Sequence, residues 1–225
     1  MTRSKLEIAC FTKEAAIIAA HAGVDRIELC DNVAVGGTTP DFCILESLSH
    51  AIEIPIYVMI RPRGGGFTYS EGEIMQMLND IKRFKGFASG FVFGILDSKN
   101  CVSLSQNRLL VEAADPLPCT FHRAFDRVED MGQALENVVK CGFKAILTSG
   151  GERAAAKGSS VLQNLVQRAQ GRIEVIAGGG VRSSNVSALK AATNVTWFHS
   201  SAITNSDITA SELEVQQLRH LMTSS

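Results

Sequence analysis

The sequence predicts an α/β fold: a single closed (β/α)8 barrel of parallel strands with a helix at the C-terminal end, one domain over residues 1–225. Three observations carry this. Short β-rich runs alternate with amphipathic runs along the whole length. Eight such pairs divide the 225 residues into steps of about 28, close to the ~30 residues of one βαβ unit. No linker or low-complexity segment interrupts the series. An open doubly wound sheet is the alternative for this pattern; eight units argue for closure, the last strand pairing with the first. The length is at the lower end for a barrel, so the loops must be short.

The first strand is Leu6–Cys10, followed by a helix from Glu14 to Ala22 with Thr12 as N-cap and Gly23 as its stop. Arg26–Cys30 is the second strand, Gly36–Pro40 a loop, and Asp41–Ile52 the next helix. Strand three is Ile56–Ile60, and the Pro and Gly content of Arg61–Gly66 marks a loop. Ser70 caps a helix reaching Lys85, with Glu73 as its capping-box partner. Gly90–Ile95 and Cys119–His122 are strands four and five, separated by a helix over Ser105–Ala114. Asp130–Cys141 is helical and Gly142 ends it. Ala145–Thr148, Glu174–Ala177 and Thr196–His199 complete the strands. Helices occupy Ser159–Ala169, Ser184–Ala192 and Ala210–Leu221.

Composition narrows the function. Twenty-two Lys and Arg against 23 Asp and Glu leave a formal charge of −1, without the basic surplus of a general nucleic-acid binder. The six cysteines form no C-x-x-C pair and no zinc-finger spacing, and they are too sparse for a disulfide scaffold. Met1–Ser4 is short and polar and the first apolar stretch carries Glu7, so no secretory leader is expected. No apolar run approaches the ~18–20 residues of a membrane span. A reduced, cytoplasmic protein with no membrane partner is the expectation. No G-x-G-x-x-G follows the first strand and no P-loop occurs, so no nucleotide cofactor is expected.

In a parallel barrel the C-terminal strand ends and the loops after them build the site. Those positions hold Glu28, Cys30, Arg61, Arg63, His122, Arg123, Asp126, Ser149, Gly178–Gly180, His199, Ser200 and Ser201. Side-chain alternation aims them. Ile27 and Leu29 suit the helix side, which sends Glu28 and Cys30 into the barrel. Cys119 and Phe121 do the same for Thr120 and His122. Glu7 and Ala9 share the inward face of strand one, and Cys10 faces outward.

Three readings follow. Gly178, Gly179 and Gly180 after strand seven, with Ser200 and Ser201 after strand eight, fit an anion cradle, in which glycines let backbone N–H groups approach a phosphate. A tight turn needing positive φ is the plainer account. Glu28, Arg61, His122, Arg123 and Asp126 fit acid–base and anion-binding roles, or an interior salt-bridge network without chemistry. Cys30, with a thiol nearby on strand one, fits a soft ion such as Cu(I), although cysteines are commonly just buried. Cys43, Cys101, Cys119 and Cys141 are read as structural, and His21, His50 and His220 as helix-surface residues. Beyond Glu7 and Glu28 there is no carboxylate cluster for a hard divalent metal.

Several segments are longer and more specific: Asp25-Arg26-Ile27-Glu28-Leu29-Cys30, Gly36-Gly37-Thr38-Thr39-Pro40, Ile60-Arg61-Pro62-Arg63-Gly64-Gly65, Thr120-Phe121-His122-Arg123-Ala124-Phe125-Asp126, Leu147-Thr148-Ser149-Gly150 and His199-Ser200-Ser201-Ala202. Together with Glu7, Tyr69-Ser70 and the 178–180 glycines, they resemble the CutC family from Leu6 to about Ala202. The resemblance implies a TIM-type barrel, a cytoplasmic location, homo-oligomers, and a role in copper homeostasis with Cu(I) bound by two cysteines. Cys30 matches one of these. The other position, two residues after the strand-one glutamate, is Ala9 here, and the thiol stands at Cys10. The chain also passes almost directly from Ala202 to its last helix, where many relatives have a longer polar segment.

Two functions of different class therefore stand. One is a Cu(I)-binding homeostasis protein using Cys30 and Cys10. The other is an enzyme acting on a small phosphorylated or carboxylated substrate, with Arg61, Arg63, Arg123, Gly178–Gly180, His199, Ser200 and Ser201 holding the anion. There Glu28 or His122 is the acid or base, and Asp126 orients a neighbour.

Overall fold

The computed structural model describes residues 3–205 and 208–223. Eight strands pair in chain order and close into a barrel: β1 (Lys5–Cys10), β2 (Arg26–Leu29), β3 (Ile56–Met59), β4 (Gly90–Phe93), β5 (Cys119–Phe121), β6 (Ala145–Thr148), β7 (Glu174–Gly178) and β8 (Trp197–Ser200). All pairings are parallel. A parallel pair needs a crossover rather than a hairpin. Helices α1 (Lys13–His21), α2 (Phe42–Ser49), α3 (Glu71–Phe84), α4 (Leu104–Ala114), α5 (Met131–Cys141), α6 (Ser159–Ala169) and α7 (Val186–Thr193) supply it, and α8 (Glu212–Thr223) follows β8. At the closure Glu7 of β1 stands opposite His199 of β8.

Strand alternation sorts the core into two regions. Leu6, Ile8, Cys10, Ile27, Leu29, Phe91, Phe93 and Phe121 pack in one cluster with helix residues such as Ala16, Leu45, Ile81 and Leu135. Residues of opposite parity fill the barrel. They form two small apolar groups, one of Cys30, Met59 and Val92 with Phe11 and Tyr57, the other of Ala145, Leu147 and Ile176 with Trp197. Glu7, Arg26, Glu28 and Thr120 are buried with the same inward parity. A polar strip thus runs through an interior that bulky apolar side chains ordinarily fill.

The local signals act as their chemistry requires. The Ala15 N–H donates to Thr12 Oγ1 (3.1 Å) at the start of α1. Before α3 the Glu73 N–H donates to Ser70 Oγ (3.3 Å) and the Ser70 N–H to Glu73 Oε2 (2.8 Å), a reciprocal capping box. Gly142, at φ 94°, ends α5 in the left-handed conformation that glycine adopts without strain.

Several ends differ from the sequence expectation. β7 runs to Gly178, so the glycine run begins inside the ladder rather than after it. β5 stops at Phe121, because His122 caps a 3-10 turn over Arg123–Arg127. β8 lies one residue later than expected, at Trp197–Ser200. α7 begins at Val186 rather than Ser184, since Asn185 Oδ1 accepts from the Arg182 N–H (3.0 Å) and holds 182–185 as a turn. Among the described residues no helix is long and apolar enough to cross a membrane.

Candidate functional site

The floor of the site is a chain of buried charges across the β1–β2–β8 seam. Glu7 Oε2 accepts from Arg26 Nε at 2.5 Å, and Glu7 Oε1 meets His199 Nδ1 at 2.7 Å. His199 Nε2 in turn lies 3.5 Å from Glu28 Oε2. Arg26 is sandwiched between Tyr57 (4.0 Å) and Trp197 (4.2 Å), which shield it from water and offer their π faces to its charge.

Environment separates the two carboxyls. Burial alone would raise the Glu7 carboxyl, but the Arg26 charge and the His199 contacts outweigh it and hold it at about 2. Among the described residues Glu28 forms no ion pair with a guanidinium; burial pushes it up to about 7, with His199 opposing, Glu7 adding to the rise and the Arg26 charge opposing more weakly. His199 is raised in spite of its burial, by Glu28 and by Glu7. The arrangement can hold a proton between His199 and Glu28 while Glu7 stays ionised. Glu7, Glu28 and His199 also place one ligand atom each within 4.8 Å of one another, a set able to hold a cation.

Above this floor lies a cavity of about 280 Å³. Ten of the residues singled out from the sequence line it: Glu28, Cys30, Arg61, His122, Arg123, Gly179, Gly180, His199, Ser200 and Ser201. Arg61 is buried, and its Nη atoms donate to the carbonyls of Val35 (2.9 Å), Gly37 (2.8 Å) and Gly65 (3.0 Å), fixing the guanidinium in its loop. His122 Nδ1 accepts from the Ala124 N–H (3.3 Å), and burial, with Arg61 second, pushes its imidazole down to about 3. Arg123 pairs with Asp126 (2.7 Å) and donates to Ser149 Oγ (2.8 Å). At Gly179, φ 97°, an added Cβ would meet the Arg123 guanidinium at 3.1 Å, so the guanidinium lies directly on this backbone.

Four expected residues sit elsewhere. Cys10 packs in the helix-side core with Sγ toward the Ile8 carbonyl (3.5 Å), so the structure does not join it to Cys30. Alternation across one strand is the cause. Arg63 turns outward, pairs with Glu73 (2.5 Å) and lies over Tyr69, tying its loop to the start of α3. Pro62 between it and Arg61, and the glycines that follow Arg63, let two arginines of one hexapeptide leave in different directions. Asp126 stands behind the cavity. Besides Arg123 it accepts from Thr148 Oγ1 (2.5 Å) and from the N–H groups of Ser149 (2.9 Å) and Gly151 (3.1 Å), anchoring the loop after β6. Gly178 is a strand residue whose Cβ would stand 2.5 Å from Leu147 Cδ1, so it serves packing.

The sequence reading missed Arg182 and Phe67. Arg182 lines the cavity and donates to Ser200 Oγ (3.0 Å), Ser201 Oγ (3.4 Å) and the carbonyls of Val181 (2.7 Å) and Ile203 (2.9 Å). Its place two residues after the glycine run was the available signal. Phe67 carries no polar group and offered none.

Comparison with known proteins agrees with the fold and the motifs. Residues 4–204 match the model of the CutC family. The human copper homeostasis protein cutC homolog is 40% identical over 203 residues, covering 90% of this chain and 74% of the relative. The CutC family protein of Proteus mirabilis is 44% identical over 185 residues, 81% of this chain and 73% of that one. A solved structure of CutC from Streptococcus agalactiae superposes with a TM-score of 0.85 at 33% identity, covering 89% of this chain and all of that one. Phosphoribosylanthranilate isomerase from Pyrococcus furiosus, at 11% identity and a TM-score of 0.65, shares the barrel fold alone. With its motifs, its closed barrel and these relatives in agreement, the chain belongs to the CutC family.

Proposed function

We propose that this protein serves the copper homeostasis for which its relatives are named, and that its molecular activity is the binding and acid–base processing of a small anion at the barrel mouth. One observation carries the second part. Arg61 and Arg182 converge on a single cavity, and among the described residues neither forms an ion pair with a carboxylate. A buried cation without a counter-ion is costly, and a bound anion relieves the cost. Arg182, Ser200 and Ser201, with the backbone at Gly179 and Gly180, hold an oxyanion at the β7–β8 end, where barrels commonly bind phosphate. Glu28 and His199 sit on the floor beneath it and move a proton, with Glu7 fixing the His199 ring. The six cysteines are free, which supports action in a reducing, cytoplasmic compartment.

The test is thermal unfolding with inorganic phosphate. Saturating phosphate raises the Tm of the wild type, by about 2.7 kcal/mol of stability at one hundred times Kd, and Arg182→Ala abolishes the rise. No shift in the wild type refutes the anion pocket.

A second reading has its own observation. Cys30 Sγ and the Met59 methyl each lie 3.5 Å from the point where a Gly37 Cβ would stand, so a thiol and a thioether border one stretch of backbone inside the cavity. Both are soft donors that suit Cu(I). A two-thiolate set does not fit, because Cys10 lies on the other face of its strand. Copper as cargo would therefore rest on Cys30 with Met59. Cu(I) competition titration then gives at least tenfold weaker binding in Cys30→Ser, and equal affinity in the two proteins removes this reading.

A further inference from the structure

Two buried donors at the β3–β5 side of the cavity lack partners among the described residues: Arg61 Nε and His122 Nε2. Both side chains are only 4% exposed, and both line the cavity. Their directions are set by other contacts. The Nη groups of Arg61 are held by three loop carbonyls; the buried Tyr69 hydroxyl lies near the same guanidinium, but neither it nor Nε has a partner at hydrogen-bond distance among the described residues. Because His122 Nδ1 accepts the Ala124 N–H, the ring proton is on Nε2, and the imidazole is an uncharged donor. The Phe67 ring lies against both, 4.9 Å from Arg61 Cζ and 4.9 Å from the His122 ring centre, so the two share one wall. Buried donors are ordinarily satisfied, and leaving two unpaired beside each other is costly unless a ligand supplies oxygen.

The opposite end of the same cavity carries Arg182, Ser200 and Ser201. Between the ends, Glu28 Oε1 is also buried without a partner. On the reading that the cavity binds anions, we propose that its ligand is a short phosphocarboxylate, with the phosphate at the Arg182–Ser200–Ser201 end and the carboxylate received by Arg61 Nε and His122 Nε2. The unpaired Arg61 charge favours a carboxylate over a neutral carbonyl. Glu28 then accepts from a hydroxyl or carries a proton at the middle of the molecule. A cavity of about 280 Å³ suits a small metabolite rather than a nucleotide.

The probes are 2-phosphoglycolate, inorganic phosphate and glycolate, titrated calorimetrically into the full chain. The expected result is 2-phosphoglycolate binding at least tenfold tighter than phosphate, with that advantage lost in His122→Asn, whose Oδ1 can still accept the Ala124 N–H. Phosphate that binds as tightly as 2-phosphoglycolate overturns the two-ended ligand and leaves the anion pocket standing. Absence of binding by both phosphorylated probes overturns the two together. Nitrogen-15 NMR of the histidines needs no variant. The His122 Nε2 resonance should move with 2-phosphoglycolate and not with phosphate, and an unmoved resonance at saturation also refutes the carboxylate site.

Discussion

His122 and Arg26 show how one interior imposes opposite demands on two basic side chains. Arg26 keeps its charge because Glu7 neutralises it and two aromatic faces enclose it. Among the described residues His122 meets no carboxylate and faces the Arg61 charge, so burial and that charge hold it neutral, down to about 3 from an ordinary 6.5. Between these values the unfolded chain binds more protons than the folded one, so the contribution to stability is present above about pH 6.5 and is lost as pH falls toward 3. Glu28 acts with the opposite sign: raised to about 7 from 4.5, it contributes below about pH 4.5 and loses that contribution as pH rises through 7. The His122 effect is therefore read as a difference. Urea unfolding of the wild type and His122→Asn between pH 3 and 7 should show the wild type losing stability relative to the variant as the solution is acidified. Parallel curves would mean that His122 is not held neutral.

At the scale of elements, most of the fold was legible. Period-two alternation in Arg26–Leu29 and Cys119–Phe121 is a local pattern, and it correctly sends Glu28 into the barrel and Phe121 toward the helices. The Ser70–Glu73 capping box is equally local, its two hydrogen bonds lying within four residues. The glycine run was less legible, because its three members do different work. Gly179 and Gly180, at φ 97° and 66°, turn the chain beside the cavity. Gly178 has no positive φ; it is kept small by Leu147 on β6 and by His199 on β8, whose Cβ would be 3.3 Å away. Gly178→Ala should cost about 1–3 kcal/mol through overpacking, measured by thermal denaturation, and should shift the NMR signals of His199. An unchanged Tm would show that Leu147 and His199 yield without cost.

Over the whole molecule, closure depends on residues far apart in the chain. Asp25, between α1 and β2, accepts from the Leu6 N–H (2.9 Å), from Arg219 of α8 (3.2 Å) and from Arg3 (3.4 Å). It thereby ties the start of β1 to the final helix beside the β1–β8 seam. Asp25→Ala removes the buried backbone donor's partner along with two ion pairs, and should destabilise by about 1–3 kcal/mol. Urea unfolding followed by Trp197, the one tryptophan in the chain and a resident of β8, measures this directly. A loss below about 0.5 kcal/mol, the range of ordinary surface changes, would mean that strand pairing alone secures the seam.

Taken by itself, the sequence determined the eight strand–helix units, the side-chain parity of each strand, and the family. These follow from spacings of two to four residues and from contiguous motifs, which are written in neighbouring residues. Only the tertiary structure decided which polar residues meet. Arg61 and Arg63 are two positions apart, yet one enters the cavity and the other pairs with Glu73 at the start of α3, because Glu73 and the Thr68 carbonyl lie outside. Glu7 meets His199 across 192 residues, and Arg182, in the turn after β7, reaches Ser200 and Ser201 at the end of β8 with all of α7 between them. Such pairings depend on barrel closure and strand register, long-range properties that no local pattern encodes.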